Sequence, residues 1–216
     1  FPFGSYAEQA QLDLIYARNR ALDPAGSIAQ ADRFIRSNPN HRHLDYALYM
    51  RGIAYYNMNQ GMFEELFRRK HMAHRDLTSL FDAFRDFDEL VRRFPDSEFA
   101  ADARTRMLHL RNIFAENDLV AARYYARRKA YIAAANRAQA VIRHYQGTVA
   151  APEALAILGR VYEELGRSAL HNNVVRVLAL NWPDSGWLDD DDRITIPWWP
   201  REDRNWLSLI TFDLLG

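Results

Sequence analysis

The chain has 216 residues, of which 49% are hydrophobic and 26% are charged, as in an ordinary folded globular protein. Its 28 basic and 28 acidic residues cancel to a formal net charge of +0, so no overall field would attract it to nucleic acid or to an anionic membrane. It has no cysteine, which excludes disulfides, thiolate zinc sites and cysteine nucleophiles. No apolar run approaches the roughly 20 residues that a membrane-spanning helix needs.

A short phrase recurs along the chain and marks the ends of predicted helices. It consists of an aromatic residue or Asn, then Pro, then a small or polar residue. It stands at positions 1–5, 38–40, 94–97 and 182–185, with a degenerate copy at 145–148. Pro stops a helix, and the Ser, Thr, Asp or Asn that follows can cap the next one. Because apolar-periodic stretches lie between the copies, the phrase predicts a protein built of repeated helices.

The shortest spacings between the copies are near the roughly 34-residue period of tetratricopeptide repeats. Residues of that repeat's pattern precede two of the copies: Leu48, Gly52, Tyr55, Ala83 and Phe87 before Pro95, and Leu155, Leu158, Gly159, Tyr162, His171 and Val175 before Pro183. The sequence therefore predicts an all-α, right-handed superhelical solenoid of about four tetratricopeptide helix pairs over residues 1–183. Because the first copy matches the end of a repeat, we expect another helix pair to precede it.

Two intervals between the copies are longer than the motif requires. The first indicates an insertion at about 58–75, between the two helices of one repeat. The second contains neither Gly nor Pro between Pro95 and Gln146, so we predict one overlong helix at about 97–128, kinked near Asn117, followed by a helix at 130–145. Two shorter helices in place of the overlong one are the alternative.

The periodicity ends after Pro183, and residues 184–216 are predicted to be a C-terminal extension. It has an acidic run at 189–192, predicted as a solvated linker, and an apolar run from Trp206 to Leu215, predicted as a short helix. So apolar a segment is expected to bind something, and Trp206 and Phe212 are its candidate contact residues. It can dock on its own last repeat, on a partner protein or at a membrane interface.

Sequence motifs for catalysis or metal binding are absent. The chain has no G-x-S-x-G, no P-loop and no dinucleotide-binding fingerprint. The histidine pairs His41 with His43, and His71 with His74, lack the spacing and the glutamate of H-E-x-x-H. We therefore expect no catalytic residue, no metal site and no cofactor.

Several strings are more specific than the repeat signature: positions 2–6, 11–17, 32–36, 45–46, 49–52 and 122–125. On these strings the chain resembles the BamD family, the repeat lipoproteins of the outer-membrane β-barrel assembly machinery, over about residues 1–183. The resemblance implies a non-enzymatic protein at the periplasmic face of the outer membrane, tethered by an N-terminal lipid whose cysteine is not in this chain. Its implied partners are the POTRA domains of the insertase BamA, other lipoproteins of the machinery and unfolded outer-membrane barrel proteins.

The resemblance also implies candidate binding residues. For the targeting signal of unfolded substrates these are Phe1, Gly4, Tyr6, Asp13, Tyr16, Tyr46 and Arg51. The alternative is that the first three only join repeats and that the tyrosines belong to the repeat core. In the insertion, Phe63 and Phe67 lie on an apolar face and are expected to contact a partner protein; a flap over their own repeat is the alternative.

The sequence therefore predicts a scaffold and substrate-recognition subunit of the β-barrel assembly machinery. Two other functions remain open at this point. One is a general periplasmic tetratricopeptide adaptor for cell-envelope enzymes or lipoproteins, and the other is a hydrolase whose site lies in the insertion.

Overall fold

A computed structural model describes residues 5–58 and 77–200 of the chain. Within these ranges it has eight helices: α1 Ser5–Arg20, α2 Pro24–Ser37, α3 Leu44–Asn57, α4 Thr78–Arg93, α5 Ala100–Arg127, α6 Tyr131–His144, α7 Ala151–Glu164 and α8 Ser168–Asn181. The same ranges contain no strand, only an isolated bridge between Leu188 and Ile194. The prediction of an all-α fold is confirmed.

The helix ends follow from local chemistry at the punctuating residues. In α2, the side chain of Asp23 caps the first turn by accepting a hydrogen bond of 2.9 Å from the amide of Gly26, and Pro24 occupies the first helical position. The helix ends where the amide of Asn38 donates to the carbonyl of Phe34. Pro39 then prevents the helix from continuing.

The chain forms two compact units, Phe1–Phe114 and Ala115–Gly216, and α5 runs through the boundary between them. In the first unit α1 packs on α2, α2 on α3, and α3 on α4. In the second unit α6 packs on α7, and α7 on α8. This packing of consecutive helices is that of a helical solenoid, as predicted. The right-handed sense of the superhelix stays a prediction.

Two glycines of the repeat pattern lie where a side chain would collide with a neighbour. A Cβ added to Gly52 of α3 would lie 2.7 Å from Cε1 of Phe87 on α4. A Cβ added to Gly159 of α7 would lie 2.2 Å from Cδ1 of Ile194 and 3.1 Å from Cγ1 of Val174 on α8. The small residue therefore permits the close approach of the two helices in both pairs.

The long interval after Pro95 contains one helix, α5, with 28 residues. It occupies most of the range in which the sequence predicts an overlong helix, in place of the two shorter helices of the alternative. The helix that follows, α6, lies within the predicted range 130–145. The insertion predicted at about 58–75 lies almost entirely outside the described residues.

The acidic run at 189–192 is folded into a turn, whereas the sequence suggested a linker. One side-chain oxygen of Asp189 accepts hydrogen bonds from the amides of Asp191, at 3.0 Å, and Arg193, at 2.8 Å. The amide of Asp192 donates to the carbonyl of Asp189. An aspartate that binds the backbone ahead of it makes such a turn locally stable.

Residues 187–200, which we call the strap, contain this turn and pack on α6 and α7. Ile194, Ile196 and Trp199 are all at least nine-tenths buried there. The indole of Trp199 lies parallel to the ring of Tyr131, with centroids 6.2 Å apart, and its N–H donates to Glu164 at 3.1 Å. The apolar run that begins at Trp206 lies outside the described residues. Among the described helices, none combines the length and the apolar character needed to cross a membrane.

Candidate functional site

One face of α1 carries exposed aromatic and acidic side chains from the set predicted to bind substrate signals. Tyr6 is 88% exposed and Tyr16 is 51% exposed. Asp13, also exposed, lies one turn before Tyr16 and accepts a hydrogen bond of 2.9 Å from the side chain of Gln9. Residues at this spacing share one side of a helix. Within the described residues, the tyrosines of α1 are thus exposed.

Tyr46 of α3 extends this face from the neighbouring helix. Its ring is partly buried, and its centroid lies 5.6 Å from that of Phe99. Burial raises the pKa of the Tyr46 phenol, and the nearby Tyr16 and Asp13 raise it further. The hydroxyl therefore stays protonated at neutral pH and can donate a hydrogen bond. We call Tyr6, Asp13, Tyr16 and Tyr46 the tyrosine face.

Arg51, predicted as part of the same site, is engaged inside the fold. Its guanidinium donates to both carboxylate oxygens of Asp86, at 2.7 and 2.6 Å, and also binds Asp32. These residues lie on α3, α4 and α2, and only 14% of the Arg51 side chain is exposed. Arg51 thus connects three helices and is not available to a ligand on the surface.

The pKa values of this cluster show the balance between burial and pairing. Burial alone would lower the pKa of Arg51, but the hydrogen bonds and charges of Asp86 and Asp32 outweigh it, so the pKa is raised. For Asp86, whose side chain is fully buried, burial raises the pKa and the bonds from Arg51 offset only part of this shift. Burial and pairing therefore act in opposite directions on both groups.

The other predicted site residues lie outside the described parts of the chain: Phe1, Gly4, Phe63, Phe67, Trp206 and Phe212. Their roles stay predictions. In the described ranges, no group of three or more His, Asp or Glu side chains is arranged to hold a metal ion.

Sequence reasoning missed a second arginine cluster, in the second unit. Arg123 of α5 donates to both carboxylate oxygens of Glu153 on α7, each at 2.6 Å, and to Glu116 at 2.7 Å. The pKa of Arg123 is raised because these bonds outweigh its burial. Arg123 lies in one of the strings that carry the family resemblance. Nothing in the sequence around it indicates that its partner, Glu153, is 30 residues away.

A groove on the second unit was also missed. It has a volume of about 520 Å³ and is lined by residues of the turns 146–149 and 182–187, together with Pro152. The recurring phrase pointed to these turns, but only as helix punctuation.

Comparison with known proteins gives a family and several relatives. The YfiO family model, described as an outer membrane lipoprotein, matches residues 1–177. The chain is 41% identical over 204 residues to the outer membrane protein assembly factor BamD of Neisseria meningitidis serogroup A, covering 92% of the chain and 74% of the relative. It is 40% identical over 181 residues to BamD of Vibrio cholerae, covering 84% of the chain and 75% of the relative.

Proposed function

The chain belongs to the BamD family of outer membrane protein assembly factors, and from that premise we propose that it is a non-enzymatic scaffold and substrate-recognition subunit. The family is one of outer membrane lipoproteins, so the protein acts at the outer membrane. In the proposal it lies on the periplasmic side, held by an N-terminal lipid. There it binds the POTRA domains of BamA and the targeting signals of unfolded barrel proteins.

The observation that supports substrate recognition is the tyrosine face. Tyr6 and Tyr16 present large rings to solvent, and tyrosine gives much contact area for little loss of side-chain freedom. Asp13 adds a carboxylate that can accept hydrogen bonds from the backbone of an extended peptide. Together with the protonated hydroxyl of Tyr46, the face offers both donors and acceptors to an unfolded chain.

Peptide binding tests this assignment. The probe is a fluorescently labelled peptide with the sequence of the C-terminal strand of an outer-membrane barrel protein, and the measurement is fluorescence anisotropy with the intact chain. We expect Tyr16→Ala to weaken binding about tenfold, because it removes an exposed aromatic contact without opening the core. Tyr124→Ala is the matched control, since Tyr124 is 43% exposed but lies in the second unit. Equal affinity of both variants and the parent would remove the tyrosine face from the proposal.

Partner binding is tested separately. The intact chain should be retained by an immobilised fragment of BamA that contains its POTRA domains, at micromolar protein concentration, and Tyr16→Ala should be retained equally well. Failure of the parent to bind would contradict the scaffold role and favour a general periplasmic adaptor. Because the two assays use different ligands, one role can fail while the other stands.

A further inference from the structure

Helix α8 presents bulky apolar side chains to solvent along one side. Leu170 is 45% exposed, Val177 is 41% exposed and Leu180 is 76% exposed. Their spacings of seven and three residues place them on one side of the helix, because seven residues make nearly two turns. The core contacts of α8 come from other positions, Val174 and Leu178, which are buried. We call Leu170, Val177 and Leu180 the α8 stripe.

The other helices that end at a copy of the recurring phrase lack such a stripe. Helices α2, α4, α6 and α8 align without gaps when residues are counted back from the cap that follows each helix. In all four, the amide of that cap residue donates to the carbonyl four positions earlier. The positions of the α8 stripe, 12, 5 and 2 residues before the cap, hold small or charged residues in the first three helices: Gly26, Arg33 and Arg36; Asp82, Glu89 and Arg92; Ala133, Ala140 and Arg143. Each of these helices therefore has an arginine where α8 has Leu180.

The charged residues of α4 show how an uncovered helix side is kept in contact with water. Asp82 pairs with Arg85 at 2.9 Å, and Glu89 pairs with Arg93 at 2.6 Å. Helix α8 has no acidic residue, so it can form no such pairs within itself. An exposed apolar side of a helix is typical of a surface that another element covers.

The strap ends close to the start of α8. The indole of Trp199, next to the end of the strap, donates to Glu164, the last residue of α7. Helix α8 begins four residues later, at Ser168. Between them Leu165 is also exposed and continues the apolar surface toward the strap. The described chain therefore ends near the Leu170 end of the α8 stripe.

Residues 201–216 lie outside the described part of the chain, and their sequence complements the stripe. Trp206, Ile210 and Leu214 recur every four residues, the spacing that places side chains on one side of a helix. A helix over 206–215 would be about 15 Å long, which is also the length from Leu170 to Leu180 along α8. Residues 201–205 can span up to about 17 Å, enough for a linker to the stripe.

The charges of the two segments are complementary. The run 206–215 has one charged residue, Asp213, and the one arginine of α8 is the exposed Arg176. Asp213 follows Trp206 by seven residues, and Arg176 follows Leu170 by six. If Trp206 lies beside Leu170 and the two helices run in the same direction, Asp213 therefore comes beside Arg176.

We infer that residues 206–215 form a helix that docks on the α8 stripe of the same chain, parallel to α8. Trp206 packs on Leu170 at one end, and Asp213 pairs with Arg176 near the other. The connection through the strap favours this occupant over a separate molecule, because it raises the effective concentration of the run to about the millimolar range. This inference goes beyond the proposed function, since it concerns the second unit and does not depend on the tyrosine face.

Disulfide trapping in the intact chain tests the contact, because the chain has no cysteine of its own. Asn173 is exposed and lies between Leu170 and Val177, so Asn173→Cys with Ile210→Cys places two thiols across the proposed contact. The control is Asn136→Cys with Ile210→Cys, since Asn136 is also exposed and stands at the same position of α6, nine residues before the cap. In a glutathione redox buffer, we expect the internal disulfide to form about tenfold faster in the first pair. Mass spectrometry of the non-reduced chain measures both rates.

Hydrogen exchange followed by mass spectrometry tests the docking without cysteines. The amides of 206–215 should exchange about tenfold more slowly in the parent than in Leu180→Arg, which gives α8 the arginine of the other three helices. Because Leu180 is exposed, this replacement leaves the core of the second unit unchanged. Ile132→Arg, at a residue of α6 that is 64% exposed, is the matched control and should leave the exchange as in the parent.

Four results would overturn the inference. Equal rates of disulfide formation in the two cysteine pairs would mean that the run does not lie on α8. Disulfide-linked dimers as the main product of the Asn173 pair would assign the stripe to a second copy of the chain. If the amides of 206–215 exchange in the parent as fast as in an unfolded peptide, the run is not docked. If they are protected only after vesicles of phosphatidylethanolamine and phosphatidylglycerol are added, the run binds a membrane surface instead.

Discussion

The first and second units use different chemistry at equivalent places in the same repeat. In the first unit Arg51 of α3 forms a buried ion pair with Asp86 of α4. The equivalent positions in the second unit are Leu158 of α7 and Val174 of α8, which are both buried apolar residues. The glycine that follows Arg51 or Leu158 is the same in both pairs.

This difference teaches that the repeat pattern determines how closely two helices approach, while the chemistry that joins them can vary. An ion pair and an apolar pair of similar size can fill the same space. The ion pair adds direction, because Arg51 also reaches Asp32 on α2 and so relates three helices. The apolar pair makes no such connection to a third helix. In the second unit, Ile194 of the strap packs against α7 beside this pair.

The largest effect is expected from breaking the ion pair. Asp86→Ala leaves Arg51 mostly buried beside a cavity, so it should lower the free energy of unfolding by about 3–5 kcal/mol. Urea denaturation followed by circular dichroism measures this change.

The control replaces Arg51 and Asp86 by Leu and Val, the residues at the equivalent positions of the second unit. The double variant Arg51→Leu with Asp86→Val should recover most of the loss, to within about 1–2 kcal/mol of the parent, because no fully buried charge is left without a partner. Asp32 also loses Arg51, but 30% of its side chain is exposed to water. If the double variant is as unstable as Asp86→Ala, the two helix pairs are not interchangeable at these positions.

Replacing Gly52 or Gly159 should lower the stability by less than breaking the ion pair does. The size of the loss should differ between the helix pairs α3–α4 and α7–α8. Gly159→Leu is expected to cost about 1–3 kcal/mol through overpacking against Ile194 and Val174. Gly52→Leu should cost at least as much as the upper value, because it meets the ring of Phe87, which is fully buried. Thermal denaturation of both variants gives the comparison. Adding Ile194→Ala to Gly159→Leu should restore part of the stability, and no restoration would mean that the strap does not limit the space there.

Ser97 and Ser185, each two residues after the proline that follows α4 or α8, should differ by a smaller amount in what they contribute to stability. Ser97→Ala removes a hydrogen bond to Asp45, so it should destabilise the chain by about 1 kcal/mol. Ser185→Ala removes a buried hydroxyl that has no partner, so it should leave the melting temperature unchanged or raise it slightly. A loss of stability in Ser185→Ala equal to that in Ser97→Ala would show that both hydroxyls are bonded.

The smallest effect concerns pH. The hydroxyl of Tyr49 donates to Asp102 at 2.8 Å, and Arg106 binds the same carboxylate. Partial burial raises the pKa of Asp102, but the bonds from Arg106 and Tyr49 outweigh it, so the pKa lies below its ordinary value. The ionised form therefore stabilises the fold above that ordinary value, and this contribution is lost as the pH falls through the lowered pKa.

Asp102→Asn should accordingly cost about half a kcal/mol or less at pH 7, since the carboxylate is exposed. Below about pH 4 the variant and the parent should converge in melting temperature. A difference that grows as the pH falls would contradict this account. The second unit has Ala156 at the position of Tyr49, so it lacks the phenol that would make the equivalent bond.

Much of the fold follows from the sequence, because its signals are local. Pro39, Pro95 and Pro183 each follow the end of a helix and prevent it from continuing. Gly52 and Gly159 permit close packing of neighbouring helices. The site was harder to predict. The exposure of Tyr6 and Tyr16 depends on which face of α1 meets α2 and α3, and the burial of Arg51 depends on carboxylates from two other helices. Periodicity gives the face of a helix but not the partner of a long polar side chain.

The strap also bears on how a repeat array can evolve. Arrays of this kind lengthen when a duplicated helix pair packs on the last one. Ile194 and Trp199 already cover the side of α7 on which their partners Gly159 and Glu164 lie. A duplication inserted after Asn181 would have to displace these side chains before its own helices could pack. The strap therefore already occupies a surface of α7 that another helix pair would need.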